Sequence, residues 1–358
     1  MSDDVNVVVI VPMSEDALAS IRAVDARLRV VDAWELFGPE IAADWPRHTA
    51  EWYLPPRFLT ARDENTHDDQ EQRARRDAVL ADAEAVCITF PFPARIAGRA
   101  PRLRFVHQLP AGVSNLAHGD LWHSSIPITS GRGAGNTLPI AEWAIAAAMA
   151  LCKDFPRAFE QRADGHFDRR VFQGHQIAGK TLAVVGLGGI GRDVARLARA
   201  LGMRVVGTRR STEPVEHVDR LFAPHELPAM LGESDVVVVA AQLTPKTHHL
   251  LNEGTIGAMK PGALLLNVAR GELIDEAAVI AALRSGHLGG FATDVYQGEF
   301  EHQPPAELLA QNNVLLTPHT SGHVEQFSQR PLEIFRENLR RCLDGQPLLN
   351  QVDWERGY

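Results

Sequence analysis

The sequence contains little cysteine and no long apolar run. Its three cysteines, Cys87, Cys152 and Cys342, lie far apart among 358 residues and show no CxxC spacing. This scarcity argues against a disulfide framework or a zinc cage and favours a reducing cytoplasm. The longest apolar stretch, residues 144–152, is about half of the ~20 residues that a membrane span needs. We therefore expect a cytoplasmic protein with no membrane partner and no bound metal.

Positive charge is also scarce. The chain has 36 lysines and arginines against 45 acidic residues, a net charge of −9. A surface that follows a phosphate backbone usually carries a basic excess. The arginine cluster at Arg73, Arg75 and Arg76 is surrounded by acidic residues, which is typical of a solvated helix face. We therefore expect no nucleic-acid partner.

What the sequence does have is a regular alternation of short β-branched runs and helical patterns, which predicts an α/β fold with parallel sheets. The length favours two domains.

A polar segment from about Gly38 to Asp77 separates two early strands and is interpreted as an insertion, part loop and part helix, serving as a lid or as elaborated surface. The predicted strands are Val5–Val11, Leu28–Val31, Ala85–Thr89, Arg104–His107, Thr181–Val185, Arg204–Val206, Val236–Ala240, Leu264–Val268, Phe291–Asp294 and Val314–Thr317.

Two helical segments stand out by their patterns. Ile140–Leu151 is rich in alanine and almost wholly apolar apart from Glu142, which predicts a buried helix. Pro331–Leu343 has leucines and Phe335 at helical spacing, which predicts an amphipathic helix.

The strongest motif follows the strand Thr181–Val185. There the chain runs into a GxGxxG turn, Gly186 to Gly191, and then into a helix with an apolar face. In such a turn, Gly186 makes the tight bend, Gly188 lets the backbone approach a pyrophosphate, and Gly191 lets the helix pack close to the strand. The context of strand, turn and helix predicts a dinucleotide-binding domain.

A second glycine pattern is misleading. Gly174 to Thr181 fits the P-loop expression GxxxxGK[ST], but a P-loop follows a strand and opens a helix, whereas this one precedes a strand. We interpret Lys180 as a surface residue and predict no ATP site.

The end of the second strand of this domain indicates the cofactor. An NAD-binding fold usually places a carboxylate there, on the ribose 2′-hydroxyl. Here the residues are Thr208, Arg209, Arg210 and Ser211, and two guanidinium groups can pair with a 2′-phosphate. The sequence favours NADP(H), with NAD(H) as the alternative.

Reduction of a 2-oxo acid needs a cation for the carboxylate and carbonyl, a proton donor, and a group that keeps this donor protonated. In a doubly wound fold, such groups lie just beyond the carboxyl ends of strands. Arg270, Glu299 and His319 each follow a predicted strand in this way. They are the predicted catalytic residues.

The surrounding residues resemble a known family. Asn267–Asp275, Asp294–Glu299 and Thr317–Gly322 are similar to the three signatures of the D-isomer-specific 2-hydroxyacid dehydrogenases, and the similarity extends over roughly Leu103 to Tyr358. The resemblance implies that Arg270 anchors and polarises the substrate, that His319 is the acid/base, and that Glu299 orients it. It also implies that backbone amides of Ala111, Gly112 and Val113 bind the substrate carboxylate.

The resemblance further implies two flavodoxin-like or Rossmann-like domains with a cleft between them: residues 1–138 with 321–358 for the substrate, and residues 139–320 for the nucleotide. A homodimer through the region around Ile140–Phe159 is expected by the same resemblance. Asp294 is expected at the nicotinamide carboxamide. The full set of predicted cofactor contacts is Gly186, Gly188, Gly189, Ile190, Gly191, Thr208, Arg209, Arg210, Thr247, Val268, Ala269, Arg270, Asp294, His319 and Gly322.

This chain also departs from the family pattern. Phe300 and Gln242 stand where proline is usual, which we interpret as changes in loop shape. Arg209 replaces the usual acidic residue and fits the NADPH-preferring glyoxylate and hydroxypyruvate reductase branch. Two alternatives stay open: a dinucleotide-sensing scaffold like the corepressors that resemble this family, and a dehydrogenase for formate or phosphonate. The particular 2-oxo acid is not specified.

Overall fold

A computed structural model describes residues 4–65, 69–133, 135, 137–211, 213–324 and 329–355. The chain divides into two compact units: unit 1 comprises Met1–Gly135 and Ser328–Tyr358, and unit 2 comprises Asn136–Phe327. No helix in the described part of the chain is both long enough and apolar enough to cross a membrane.

Unit 1 contains a five-stranded parallel sheet in the order β2-β1-β3-β4-β5. This is the order of a flavodoxin-like doubly wound sheet. The strands are β1 (Val5–Ile10), β2 (Leu28–Asp32), β3 (Ala85–Ile88), β4 (Phe105–Gln108) and β5 (Ile128–Ser130). The helices are α1 (Glu15–Arg22), α2 (Trp34–Asp44), α3 (Arg47–Tyr53), α4 (Pro56–Asp63), α5 (Gln70–Ala81) and, from the end of the chain, α13 (Arg330–Leu343).

Unit 2 contains a seven-stranded sheet in the order β12-β11-β10-β9-β6-β7-β8. All its strands are parallel, and the order in which the chain adds strands to the sheet reverses between β6 and β9. This is a Rossmann order, and the predicted α/β class with doubly wound parallel sheets is confirmed. The strands are β6 (Thr181–Val185), β7 (Arg204–Thr208), β8 (Arg220–Phe222), β9 (Val236–Val239), β10 (Ala263–Asn267), β11 (Leu288–Thr293) and β12 (Val314–Leu316). The helices are α6 (Thr137–Cys152), α7 (Phe155–Ala163), α8 (Gly189–Ala200), α9 (Leu227–Gly232), α10 (Glu253–Gly257), α11 (Glu276–Arg284) and α12 (Ala306–Leu309).

The interpretation of residues 38–77 as a surface insertion is wrong. Helices α2 to α5 cover most of this segment, and its residues Ile41, Trp45 and Phe58 lie in the core of unit 1. The buried Trp45 indole donates a hydrogen bond from Nε1 to the Phe92 carbonyl oxygen at 2.7 Å. Residues 66–68 lie outside the described part of the chain. The segment is therefore a structural layer of unit 1.

Two smaller predictions also need correction. The predicted helix Ile140–Leu151 lies within α6 but is not wholly buried: Ala141, Ala144 and Ala148 face the core, whereas Met149 is 38% exposed. Lys180 directly precedes β6, as predicted, but it is half-buried and lines a cavity of about 370 Å³.

His107 on β4 makes the stability of unit 1 depend on pH. Its buried ring lies 2.8 Å from Thr129 Oγ1 through Nδ1 and 3.1 Å from the Pro331 carbonyl oxygen, at the start of α13, through Nε2. Burial lowers the pKa of His107 from 6.5 to about 4. The unfolded chain therefore binds the proton more readily than the folded chain between these values, and the folded state loses stability as the pH falls through this window.

We expect acidification from pH 7 to 4.5 to lower the free energy of unfolding of the wild type by roughly 2–3 kcal/mol more than that of His107→Gln. Urea titrations followed by tryptophan fluorescence measure this quantity, because Trp143 is the one tryptophan of six outside unit 1. The same acid-induced loss in both proteins would contradict the assignment.

Candidate active site

The glycine-rich turn after β6 has the predicted geometry. Gly186 has φ of +100°, and a Cβ there would lie 2.6 Å from Ala241 Cα, so only glycine fits. A Cβ on Gly191 would lie 2.1 Å from the Gly186 carbonyl oxygen, so α8 packs directly against the end of the strand. The turn lies at the point where the strand order reverses, which is where ligands bind in open α/β sheets.

The N-terminus of α8 leaves room for a ligand. Gly188 is the N-cap residue and supplies no side-chain cap, and a Cβ there would meet no described atom within 4 Å. The first backbone N–H groups of a helix lack intrahelical partners and attract phosphate. Gly189 approaches Thr137, and Ile190 packs against the core of unit 2. The space at Gly188 fits a pyrophosphate.

The end of β7 carries polar groups suited to a ribose phosphate. Thr208 is 6% exposed, and its buried hydroxyl has no hydrogen-bond partner within the described residues. A buried polar atom in this state is costly and is a common mark of a ligand site. Arg209 is half-buried and donates from Nε to the Ser211 carbonyl oxygen at 3.1 Å, and Arg210 is exposed. The residues present therefore fit a nicotinamide dinucleotide.

The loop after β10 holds Arg270 through the buried side chain of Asn267. Asn267 donates from Nδ2 to the Arg270 carbonyl oxygen at 2.8 Å and accepts from the Ala269 N–H at 3.0 Å. Gly271 lets this loop lie against the loop after β11, because a Cβ on residue 271 would lie 2.0 Å from the Tyr296 carbonyl carbon. The half-buried Arg270 side chain donates from Nη1 to the Ala269 carbonyl oxygen at 2.7 Å. The loops after β10 and β11 are thus in backbone contact.

Asp294, at the end of β11, fixes the loop that follows β12. Its buried carboxylate accepts hydrogen bonds from the Thr317 hydroxyl, from the Thr320 N–H at 2.8 Å and from the Ser321 N–H at 2.9 Å. Its carbonyl oxygen accepts from the His319 N–H at 2.9 Å. These bonds hold His319 with φ of +55°. Asp294 therefore shapes the His319 loop, and its predicted contact with a carboxamide stays a prediction.

Glu299 and His319 are in direct contact. His319 Nδ1 lies 3.1 Å from Glu299 Oε1, and the glutamate side chain is 4% exposed against 31% for the histidine. Because a carboxylate accepts hydrogen bonds, Nδ1 carries the donated hydrogen and Nε2 is left for another partner. The structure thus joins two of the three predicted catalytic residues and places Arg270 on the adjacent loop.

The loop that carries Glu299 is tightly bonded. The buried Tyr296 hydroxyl donates to the His302 carbonyl oxygen at 2.5 Å, and the Gln297 N–H donates to Glu276 Oε1 at 2.7 Å. Burial, followed by the nearby Glu299 and Glu276 carboxylates, raises the pKa of Tyr296 to about 12. Burial also raises the pKa of Glu276, against the opposing effect of the Gln297 N–H. Tyr296 therefore stays a neutral donor that braces the loop.

The remaining predicted contacts are spread over both units. Thr247 donates from its hydroxyl to the Gln242 carbonyl oxygen at 2.7 Å and so closes the loop after β9. Ala269 and Gly322 are half-buried in unit 2, and Val268 is buried. Ala111, Gly112 and Val113 belong to unit 1, where Gln108 donates from Nε2 to the Gly112 carbonyl oxygen at 2.5 Å. Their roles toward ligands stay predictions.

Comparison with known proteins decides the family. Residues 145–321 match the model of the D-isomer specific 2-hydroxyacid dehydrogenase NAD binding domain. The chain is 33% identical to the (S)-sulfolactate dehydrogenase of Chromohalobacter salexigens over 68% of this chain and 79% of that protein. The chain belongs to the D-isomer-specific 2-hydroxyacid dehydrogenase family. It is an NAD(P)-dependent oxidoreductase of this family.

Other relatives of this dehydrogenase differ in the substrates for which they are named. It is 30% identical to the glyoxylate reductase of Thermococcus gammatolerans, over 77% of this chain and 86% of that protein. It is 31% identical to the D-3-phosphoglycerate dehydrogenase of Methanocaldococcus jannaschii, but spans only 48% of that protein. A solved structure of a D-isomer specific 2-hydroxyacid dehydrogenase from Xanthobacter autotrophicus Py2, in complex with NADPH and MES, covers 99% of this chain and 100% of its own with 26% identity and a TM-score of 0.73.

Proposed function

We propose that this dehydrogenase reduces a small 2-oxo acid, of the glyoxylate or hydroxypyruvate type, to the D-2-hydroxy acid. The observation that carries the proposal is the bond between His319 and Glu299 beyond the carboxyl ends of β11 and β12, in the same unit as the dinucleotide turn. We assign the nucleotide to unit 2 and substrate selection to unit 1. The glyoxylate reductase among the relatives supports this substrate class.

The proton for the reaction comes from His319. With Nδ1 donating to Glu299, the imidazole presents Nε2–H to the substrate carbonyl oxygen and gives up this proton as the alkoxide develops. Glu299 holds the ring in this orientation and stabilises its positive charge before the transfer. A bound nicotinamide supplies the hydride.

Arg270 binds and polarises the substrate in this proposal. Its planar guanidinium matches a carboxylate in a bidentate way that a lysine does not reproduce. Asn267 and Gly271 hold its backbone against the Glu299 loop, which limits how far the cation can move from the proton donor. The backbone N–H groups of Ala111, Gly112 and Val113 are the second proposed carboxylate contact.

We propose NADP(H) as the preferred cofactor, with NAD(H) as the poorer one. The residues directly after β7 are Arg209, Arg210 and Ser211, and none of them is the carboxylate that an NAD-specific site would place on the ribose at this point. Instead, Thr208 offers a buried hydroxyl and Arg209 and Arg210 offer two positive charges.

The test is an initial-rate screen of glyoxylate, hydroxypyruvate, sulfopyruvate, 3-phosphohydroxypyruvate and phenylpyruvate, each with NADPH and with NADH, followed by chiral analysis of the product. We expect turnover of the two small substrates, the D-isomer from hydroxypyruvate, and a higher kcat/KM with NADPH. Binding of the dinucleotide without oxidation by any 2-oxo acid would contradict the proposal and favour a sensing scaffold. Faster turnover of the phosphorylated or sulfonated acid would overturn the substrate assignment.

We also propose a cytoplasmic location, because the cysteines are not joined in disulfides. Cys87, Cys152 and Cys342 are all free thiols, and the first two are buried. Free thiols are usual in proteins of a reducing compartment.

We also propose a homodimer in which a second copy covers α6 and α7. Of the ten exposed large apolar side chains in the described structure, six lie between residues 138 and 171. Phe155 and Phe159 are 50% and 53% exposed, and their ring centroids are 6.3 Å apart. Apolar clusters of this kind on a water-soluble surface mark protein contacts. A second copy is the occupant because an identical patch meets itself across a two-fold axis.

Replacing both phenylalanines by glutamate should convert the dimer to a monomer, because four buried charges would face one another in the interface. Light scattering after gel filtration measures the mass, with Val31→Glu as the control at an exposed apolar residue of unit 1. A wild-type monomer, or a double variant that stays dimeric, would contradict the proposal.

A further inference from the structure

The Phe300 ring lies beside the imidazole of His319 in an offset stack. The two rings are stacked, with centroids 6.3 Å apart and planes inclined by 28°. This separation falls within the 4.5–7 Å range of attractive offset stacking. Phe300 is half-buried and directly follows Glu299 in the chain. Two consecutive residues therefore flank one imidazole: Glu299 is bonded at its Nδ1 edge, and Phe300 lies alongside in an offset stack.

The backbone that presents these two residues is held on both sides. Before them, the Gln297 N–H is bonded to Glu276 Oε1 at 2.7 Å. After them, the Glu301 and His302 N–H groups donate to the Gly298 carbonyl oxygen at 2.8 Å and 3.1 Å. The backbones of Glu299 and Phe300 therefore belong to the same braced loop.

The carboxylate alone does not fix the imidazole. One hydrogen bond sets the position of Nδ1, but the ring plane can still tilt about that bond, and a tilt carries Nε2 away from its target. The Asp294 bonds fix only the backbone of the loop around His319. A flat apolar ring in an offset stack beside the imidazole opposes a large tilt, because an inclined imidazole would lose this stacking.

We propose that Phe300 is a positioning residue, which holds the plane of the His319 imidazole so that Nε2 points at the substrate carbonyl oxygen. This inference rests on the proposed role of His319 as proton donor. It replaces the interpretation of Phe300 as a change in loop shape alone.

The kinetic test compares Phe300→Leu with Phe300→Tyr. Leucine keeps an apolar side chain but removes the flat ring, and tyrosine keeps the ring. With glyoxylate or hydroxypyruvate, Phe300→Leu should lower kcat by about 3- to 10-fold and leave KM within about 2-fold, since the orientation of the donor and not substrate binding is impaired. Phe300→Tyr should retain wild-type kcat within about 2-fold. Equal losses in both variants, or a loss confined to KM, would overturn the proposal.

A second measurement does not depend on turnover. In protein labelled with ¹³C-histidine and free of cofactor, the ring protons of His319 should carry a ring-current shift from the neighbouring phenyl ring, with His319→Gln identifying the signal. Phe300→Leu should remove this ring-current shift and Phe300→Tyr should keep it. An unchanged signal in Phe300→Leu would refute the stacking. If Phe300→Leu does not fold, as judged by circular dichroism, Phe300→Met takes its place.

The two measurements separate the two ideas. A wild type that reduces no 2-oxo acid but shows the shifted His319 signal would refute the proposed function and leave the ring contact intact. If the wild type is active but the His319 signal is the same in Phe300→Leu as in the wild type, the proposed function stands and the positioning role of Phe300 is refuted.

Discussion

Replacing His319 by glutamine should lower kcat for reduction of the 2-oxo acid by about 100- to 10,000-fold. Glutamine keeps a polar side chain of similar reach but has no proton that it can release at neutral pH, so the developing alkoxide loses its donor. The Glu299 carboxylate can still accept a hydrogen bond from the amide, which limits the disturbance of the loop. Stopped-flow or steady-state loss of NADPH absorbance measures the rate.

The affinity for the dinucleotide separates chemistry from misfolding. His319 is only one of the predicted cofactor contacts, and its replacement leaves the proposed phosphate site at the N-terminus of α8 intact, so His319→Gln should bind NADPH within about 3-fold of the wild type by fluorescence titration. Glu299→Gln serves as the graded variant, since it keeps the histidine but removes the negative charge beside it, and its kcat should fall between those of the wild type and His319→Gln. A kcat within a few-fold of the wild type for His319→Gln would remove His319 as the proton donor.

Most of the sheet could be predicted, and the failures have physical reasons. Continuous apolar runs such as Thr181–Val185 and Val236–Val239 are buried on both faces, so their sequences carry a strong signal. The strands β5 and β8 were missed because each has three residues, too few for a periodic pattern. Strand β11 begins three residues before its predicted start because Gly289 and Gly290 read as a break.

Prolines at the starts of helices make residues 38–77 look like a loop in the sequence. Pro46 and Pro55 are N-cap residues of α3 and α4, and Pro56 is the first residue of α4. Proline is tolerated at these positions because the first N–H groups of a helix have no intrahelical acceptor. A helix start and a loop therefore look alike in sequence, and the buried side chains of Trp45 and Phe58 show that the segment belongs to the core.

The acidic and basic groups of the site were predicted, but the residues that position them were not. Glu299 and His319 could be found because both follow parallel strands that are neighbours in the sheet. Asn267 holds the Arg270 loop through side-chain hydrogen bonds, and Gly271 holds it through a close backbone contact. Neither contact produces a periodic pattern that could be recognised in the sequence. The one available signal is an asparagine at a strand end, which often bonds the backbone two or three residues on.

The second large effect concerns the cofactor: Arg209→Ala with Arg210→Ala should lower kcat/KM for NADPH by about 50- to 500-fold. Hydrogen bonds to charged groups contribute ~1.5–3 kcal/mol each, but Arg210 is exposed and Arg209 only half-buried, so solvent screening reduces the joint loss to about 2.3–3.7 kcal/mol, which is the stated range of fold-change. The rate with NADH should change by no more than about 3-fold, because NADH carries no 2′-phosphate. Initial rates with both cofactors give the ratio.

Arg284→Ala is the matched control, since it removes an exposed arginine from α11 of the same unit and should leave both rates unchanged. The single variants should differ, with the larger loss at Arg209, whose Nε bond to Ser211 already holds the half-buried side chain in place. A pre-ordered guanidinium loses less freedom on binding than an exposed one. Equal losses with NADPH and NADH would show that the arginines support the fold of the β7 turn and would remove the argument for a 2′-phosphate site, leaving the buried Thr208 hydroxyl to a ribose.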